Sequence, residues 1–175
     1  MAIKTESMLK HIGMSFLIML CFNSCIGPSY EKAFLSKYEF EDFSQFENAS
    51  VFIRGGDGEG NPIIFINAPH FIRDTSKVGG YVVILDKKNA QVIGAKWSLT
   101  KSYVNADTIK LQQLAQAFMQ YNIPRLEVDA QNNVFVYLKD VEKLSLVRFA
   151  NENELKKRNE NDDWINIKNN WYKPK

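Results

Sequence analysis

Apolar and polar residues first settle into a regular pattern around residue 50. Val51 to Arg54 and Ile63 to Asn67 are β-branched and aromatic runs, separated by the turn cluster Gly55-Gly56-Asp57-Gly58-Glu59-Gly60-Asn61-Pro62. Such runs around such a cluster predict a hairpin, here with a long, flexible tip. Tyr81 to Leu85 and Gln91 to Leu99 predict a second hairpin across Asp86-Lys87-Lys88-Asn89-Ala90, whose side chains can hydrogen-bond the turn backbone. Leu111, Leu114, Ala115 and Phe118 then recur at helical spacing, with Asn105 or Asp107 available as the cap and Asn122 and Pro124 as the stop. That predicts one main helix over about 107-121. Leu126 to Val128 and Val134 to Leu138 form a third hairpin around Asp129 to Asn133, and Ser145 to Ala150 a further strand. Tyr81 to Leu85 and Val134 to Leu138 do not alternate, which implies burial on both faces. Tyr38 to Phe43 alternates aromatic with acidic residues and suits either an edge strand or a helical turn.

Strands, then a helix, then strands point to α+β rather than alternating βαβ units. The expected architecture is a mainly antiparallel sheet of about six or seven strands with the helix packed on one face. Asn151 to Asp163 is nearly all charged or amide and reads as a solvated helix or loop. A tail with Trp164, Ile165, Ile167, Trp171 and Tyr172 follows. Trp164, Trp171 and Tyr172 form a candidate partner surface, since such side chains are enriched in interfaces; docking back onto the sheet is the favoured alternative, because large apolar groups stabilise most when removed from water. No internal repeat is evident.

Length and composition narrow the function. A chain of 175 residues suits one core, and a formal charge of +2 with interleaved signs offers no basic surface for nucleic acid. Only His70 of the 2 histidines, and neither of the 2 cysteines, lies in the interior of the chain. A histidine base would therefore be His70, in a loop with Asp74 and Ser76, and no nucleophile-elbow motif accompanies it. The Asp57 cluster lacks the Gly-Lys-Ser or Gly-Lys-Thr ending of a phosphate loop. As a calcium loop it offers Asp57, Glu59 and Asn61, but Pro62 stands where the EF-hand turn needs glycine. Glu41 with Asp42, and Asp162 with Asp163, read as solvated charges.

At the amino end, Lys4, Lys10 and His11 precede an apolar run from Met14 to Phe22. That order is an export signal, and the run is about half of the roughly 20 residues a membrane-spanning helix requires. It ends in Phe22-Asn23-Ser24-Cys25, which resembles the lipobox of bacterial lipoprotein signal peptides in the relaxed form of Bacteroidota. The resemblance covers only the signal. Ser24 and Cys25 match; Phe22 replaces the usual Leu, and Asn23 the usual small residue. It implies cleavage between Ser24 and Cys25, lipid on the Cys25 thiol, and no free thiol in the mature chain. Without an aspartate after the cysteine it also implies the outer membrane, and without an acidic pair the periplasmic face.

The expected organisation is a cleaved signal over 1-24, a lipidated tether over 25-36 and one domain over 37-175. The expected function is a lipid-anchored envelope protein that touches the membrane through its lipid and binds a protein partner, with no cofactor and no metal. One version is an immunity protein against an interbacterial toxin. The alternative is a small envelope hydrolase or ligand-binding accessory protein using the His70 loop.

Overall fold

Residues 29-68, 80-97, 107-158 and 163-175 are described by a computed structural model. The chain divides into two units, Met1–Tyr38 and Glu39–Lys175. Ser24, Cys25 and the rest of the signal lie outside the described residues, as do His70 and its loop. In the first unit, the stretch expected as a tether carries a helix, α1 (Tyr30–Tyr38), with Glu31 in its first turn and Lys37 in its last. Both charges oppose the helix dipole. Tyr38 therefore ends a helix, and the Phe34 ring stacks at 4.9 Å on it.

The second unit is built on three hairpins whose turns share one device. Between β1 (Ala49–Gly56) and β2 (Pro62–Asn67), the Asp57 carboxylate accepts the backbone N–H of Glu59 at 2.9 Å and of Asn61 at 2.8 Å, while Asn61 Nδ2 donates to its other oxygen at 3.0 Å. Between β5 (Arg125–Val128) and β6 (Val134–Tyr137), Asp129 does the same for Gln131 and Asn133. The residue before each asparagine takes a positive φ, 80° at Gly60 and 63° at Asn132, where glycine and asparagine are best tolerated. The tip at Asp57 is thus a closed, hydrogen-bonded turn and not the flexible one expected. Between β3 (Tyr81–Leu85) and β4 (Val92–Trp97), Asp86 accepts from the Lys88 N–H and from Asn89 Nδ2.

The two asparagines also reach beyond their own hairpins. Asn61 Oδ1 accepts the Lys87 N–H at 3.1 Å, and Asn133 Oδ1 the Ala150 N–H at 2.9 Å. Asn133 is fully buried and donates in addition to Glu154 on α3 (Glu152–Arg158). Glu154 takes Lys157 Nζ at 2.7 Å, so the charge-rich segment is a helix with one buried acidic anchor.

All neighbouring strands pair antiparallel, in the order β4-β3-β2-β1-β5-β6-β7-β9-β8, with β7 at Leu146–Arg148, β8 at Trp164–Lys168 and β9 at Trp171–Pro174. Nine strands replace the six or seven expected, because the tail after Asp163 is itself a hairpin. Its turn is Asn169-Asn170, with Asn169 at φ 49°. The main helix, α2 (Thr108–Gln120), is capped by Asp107, whose carboxylate accepts the Lys110 N–H at 3.1 Å. It carries the chain from the β4 edge back to β5 beside β1, where Ala49 faces Val128 and Val51 faces Leu126. The helix packs against β2, β3 and β4. Its Leu111, Leu114, Ala115 and Phe118 are all buried, the Leu and Phe side chains each stabilising by about 1.5 to 3 kcal/mol.

Two outcomes follow from the turns. Asn133→Ala leaves the Ala150 N–H and the Asp129 and Glu154 carboxylates short of partners, and should cost about 3 kcal/mol in urea unfolding. Hydrogen bonds from Asn61 hold the Asp57 carboxyl below the usual range, as the Lys88 N–H does for Asp86 and Lys157 for Glu154. Groups depressed on folding stabilise above their unfolded values, about 4, and lose that contribution as protons bind to the folded state. The unfolding midpoint should therefore be flat above about pH 5 and fall below about pH 4, less steeply in Asp57→Asn.

Candidate functional site

Strand β7 places a cation where its neighbours are apolar. Leu146 and Val147 are fully buried, and the alternation of the strand sets Arg148 on the same face as Leu146, opposite Val134 on one side and Trp171 on the other. The guanidinium lies 5.0 Å from the centre of the Phe43 ring and 5.5 Å from that of Trp171, and the two rings meet edge to face at 6.4 Å. Its Nη1 donates to the Glu41 carbonyl at 2.7 Å. Burial lowers the pKa of Arg148, and the charges of Asp42 and Glu41 pull it partly back. The group stays a cation, since arginine does not deprotonate in proteins.

Trp171 completes this seam. It is 1% exposed, and its Nε1 donates to the Glu39 carbonyl at 3.0 Å. The Glu39 carboxylate takes Lys168 Nζ and Asn169 Nδ2, and that of Glu41 accepts the Tyr121 hydroxyl at 3.1 Å. Residues 39-43 are thus laid across β7, β9 and the β8–β9 turn by alternate backbone carbonyls. The 3-10 turn Ser44–Phe46 follows, and buried Phe43 and Phe46 both meet Tyr121.

Over the seam lies an open groove of about 570 Å³, lined among others by Glu39, Phe40, Asn132, Arg148, Asn170 and Trp171. A second hollow of about 290 Å³ adjoins it at Arg148 and Asn132 and includes Asp42, Ser44 and Glu47. Asp42 accepts the Ser44 N–H at 2.9 Å, which holds its carboxyl below the usual range. Phe40 is 86% exposed. The lining offers directed N–H donors, side-chain amides and an exposed ring, which is recognition chemistry. Among the described residues no group of three or more His, Cys, Asp or Glu could hold a metal ion.

Of the three aromatic residues expected at a partner surface, Trp171 is removed from it by burial. Trp164 and Tyr172 are half-buried: their rings pack edgewise on Phe149 at 5.6 and 5.4 Å, and Trp164 Nε1 donates to the Arg158 carbonyl at 3.1 Å. The carboxylate oxygens of Asp57, considered above as calcium ligands, are occupied by the donors of their own turn. Arg148, Phe40, Asn132 and Asn170 escaped the reading of the sequence. The available signal was an arginine inside the run Leu146-Val147-Arg148-Phe149, where burial demands a compensating partner.

Trp171→Phe keeps most of the packing and removes the bond to Glu39, so thermal or urea unfolding should show a loss of about 1 to 2 kcal/mol. Trp171→Ala should lose about 3 to 5 kcal/mol by emptying the seam. Equal losses in the two variants would show that packing contributes little there. Compared with known proteins, the chain matches no family model, no curated protein and no solved structure.

Proposed function

We propose that this is a lipid-anchored envelope protein whose folded unit binds another protein through the groove at Arg148. The observation that carries the binding half is the groove itself: an exposed phenylalanine, and side-chain amides that make no hydrogen bond among the described residues, beside a stacked guanidinium. Exposed aromatic and arginine side chains are the groups that dominate protein interfaces. The anchoring half rests on the resemblance of Phe22-Asn23-Ser24-Cys25 to a lipobox. Two or more acyl chains on Cys25 hold the protein stably at a membrane, where one alone is marginal. The outer membrane, periplasmic face, is the location that the residues after Cys25 favour. A narrower form of the reading makes the protein an immunity factor that occludes an interbacterial toxin.

The test is intact mass and affinity capture of the native protein from membranes, wild type against Cys25→Ala. The expected wild type lacks residues 1-24, carries acyl chains and brings down a protein partner. The expected variant is unacylated and leaves the membrane fraction. A soluble, unacylated wild type would overturn the anchoring half, and an acylated protein that captures nothing would count against the binding half.

A further inference from the structure

Arg148 stands apart from the other partly buried arginine and from Arg158 by what it lacks. Arg125 holds Glu127 at 2.6 Å, and Arg158 holds Asp129 at 2.6 Å. No carboxylate lies within 4.0 Å of the Arg148 guanidinium among the described residues, and one of its five N–H donors is used, on the Glu41 carbonyl. The nearby acids are committed elsewhere. Glu39, the one carboxylate lining the groove, is taken by Lys168 and Asn169; Glu41 accepts from Tyr121; Asp42 lines the second hollow and accepts from Ser44. The groove therefore presents a positive charge that has no ion pair within 4.0 Å among the described residues and is offset only at longer range, by Asp42 and Glu41.

That charge is also held still. Phe43 and Trp171 flank the guanidinium, and Glu41 fixes one of its ends, so a ligand need not order the side chain. Arginine in a fixed plane matches a carboxylate with two parallel hydrogen bonds, and preorganisation lowers the cost of binding. Along the same groove, the side-chain amides of Asn132 and Asn170 make no hydrogen bond among the described residues, and Phe40 is exposed. Amides suit a peptide backbone, and a phenylalanine suits an apolar side chain. The open form of the groove fits an extended chain better than an enclosed small molecule.

We propose that the groove docks an extended segment of a partner protein and reads an aspartate or glutamate in it through Arg148, with Asn132 and Asn170 holding its backbone. This rests on the protein-binding reading above and specifies its chemistry.

The test uses the full chain in the cells that make it, with Phe40 replaced by the photo-crosslinker p-benzoylphenylalanine and exposed Glu142, outside the groove lining, replaced as control. The crosslinked partner peptide is sequenced, synthesised and titrated against the protein. The expected segment contains Asp or Glu, and changing that residue to Asn or Gln weakens binding at least tenfold. In Arg148→Met the same change has less than a twofold effect, because the pair is already broken. Asn170→Asp, an exposed substitution that leaves the core alone, sets a repelling carboxylate at the rim and should weaken binding about fivefold; it carries the test should Arg148→Met fail to fold. A crosslinked segment without an acid, or an affinity indifferent to both variants, overturns the carboxylate reading and leaves protein binding standing. Crosslinking to no protein, or to a glycan or lipid alone, overturns both.

Discussion

A half-buried guanidinium on β7 imposes a condition on everything near it. A charge that loses part of its water is tolerated only where hydrogen bonds and polarisable surfaces replace it. Here the replacement comes from two rings, Phe43 and Trp171, and from the Glu41 carbonyl. To supply them, residues 39-43 must cross β7 and β9, and the tail must fold back so that Trp171 stands opposite Arg148. The last hairpin enters the sheet through β9 for this reason. The arginine, the crossing segment and the tail are one unit of structure, each meeting a need of the others.

The hairpins solve a related problem. A nine-stranded antiparallel sheet has many turns, and each exposes backbone N–H groups that a strand ladder would otherwise pair. Asp57, Asp86 and Asp129 collect those donors on one carboxylate apiece. Asn61 and Asn133 then carry the bonding outward to the next element, the second by a fully buried amide. A short polar side chain thus locks a turn and also fixes where the following strand or helix begins. It does so by direct hydrogen bonding, which is more orientation-dependent than apolar contact.

The groove sits where these two arrangements meet, since Asn132 belongs to the β5–β6 turn while Arg148 and Trp171 belong to the seam. Both parents are held by hydrogen bonds. A groove built on strands and hydrogen-bonded turns keeps its donors aimed, the condition under which a few polar contacts would carry specificity.

Much of this was present in the order of residues. Three hairpins, their turn aspartates and the capped helix with Leu111, Leu114, Ala115 and Phe118 on one stripe all follow from local rules, because turn chemistry and periodicity act over a few residues. The proposed address at Ser24-Cys25 rests on a likewise local string, through its resemblance to a lipoprotein signal. The tertiary structure decided what depends on partners far apart in the chain. Trp164 to Lys168 and Trp171 to Pro174 lie in a short tail with few alternating apolar positions, and become strands by pairing with each other and, through β9, with β7. Trp171 stood between docking back, the favoured reading, and an interface until Glu39, 132 positions away, was seen to accept its N–H. Arg148 drew no attention in the sequence, and its role emerges only with the rings around it in place. Local propensity can specify an element, but which polar group compensates a half-buried charge is settled only when the chain has closed around it.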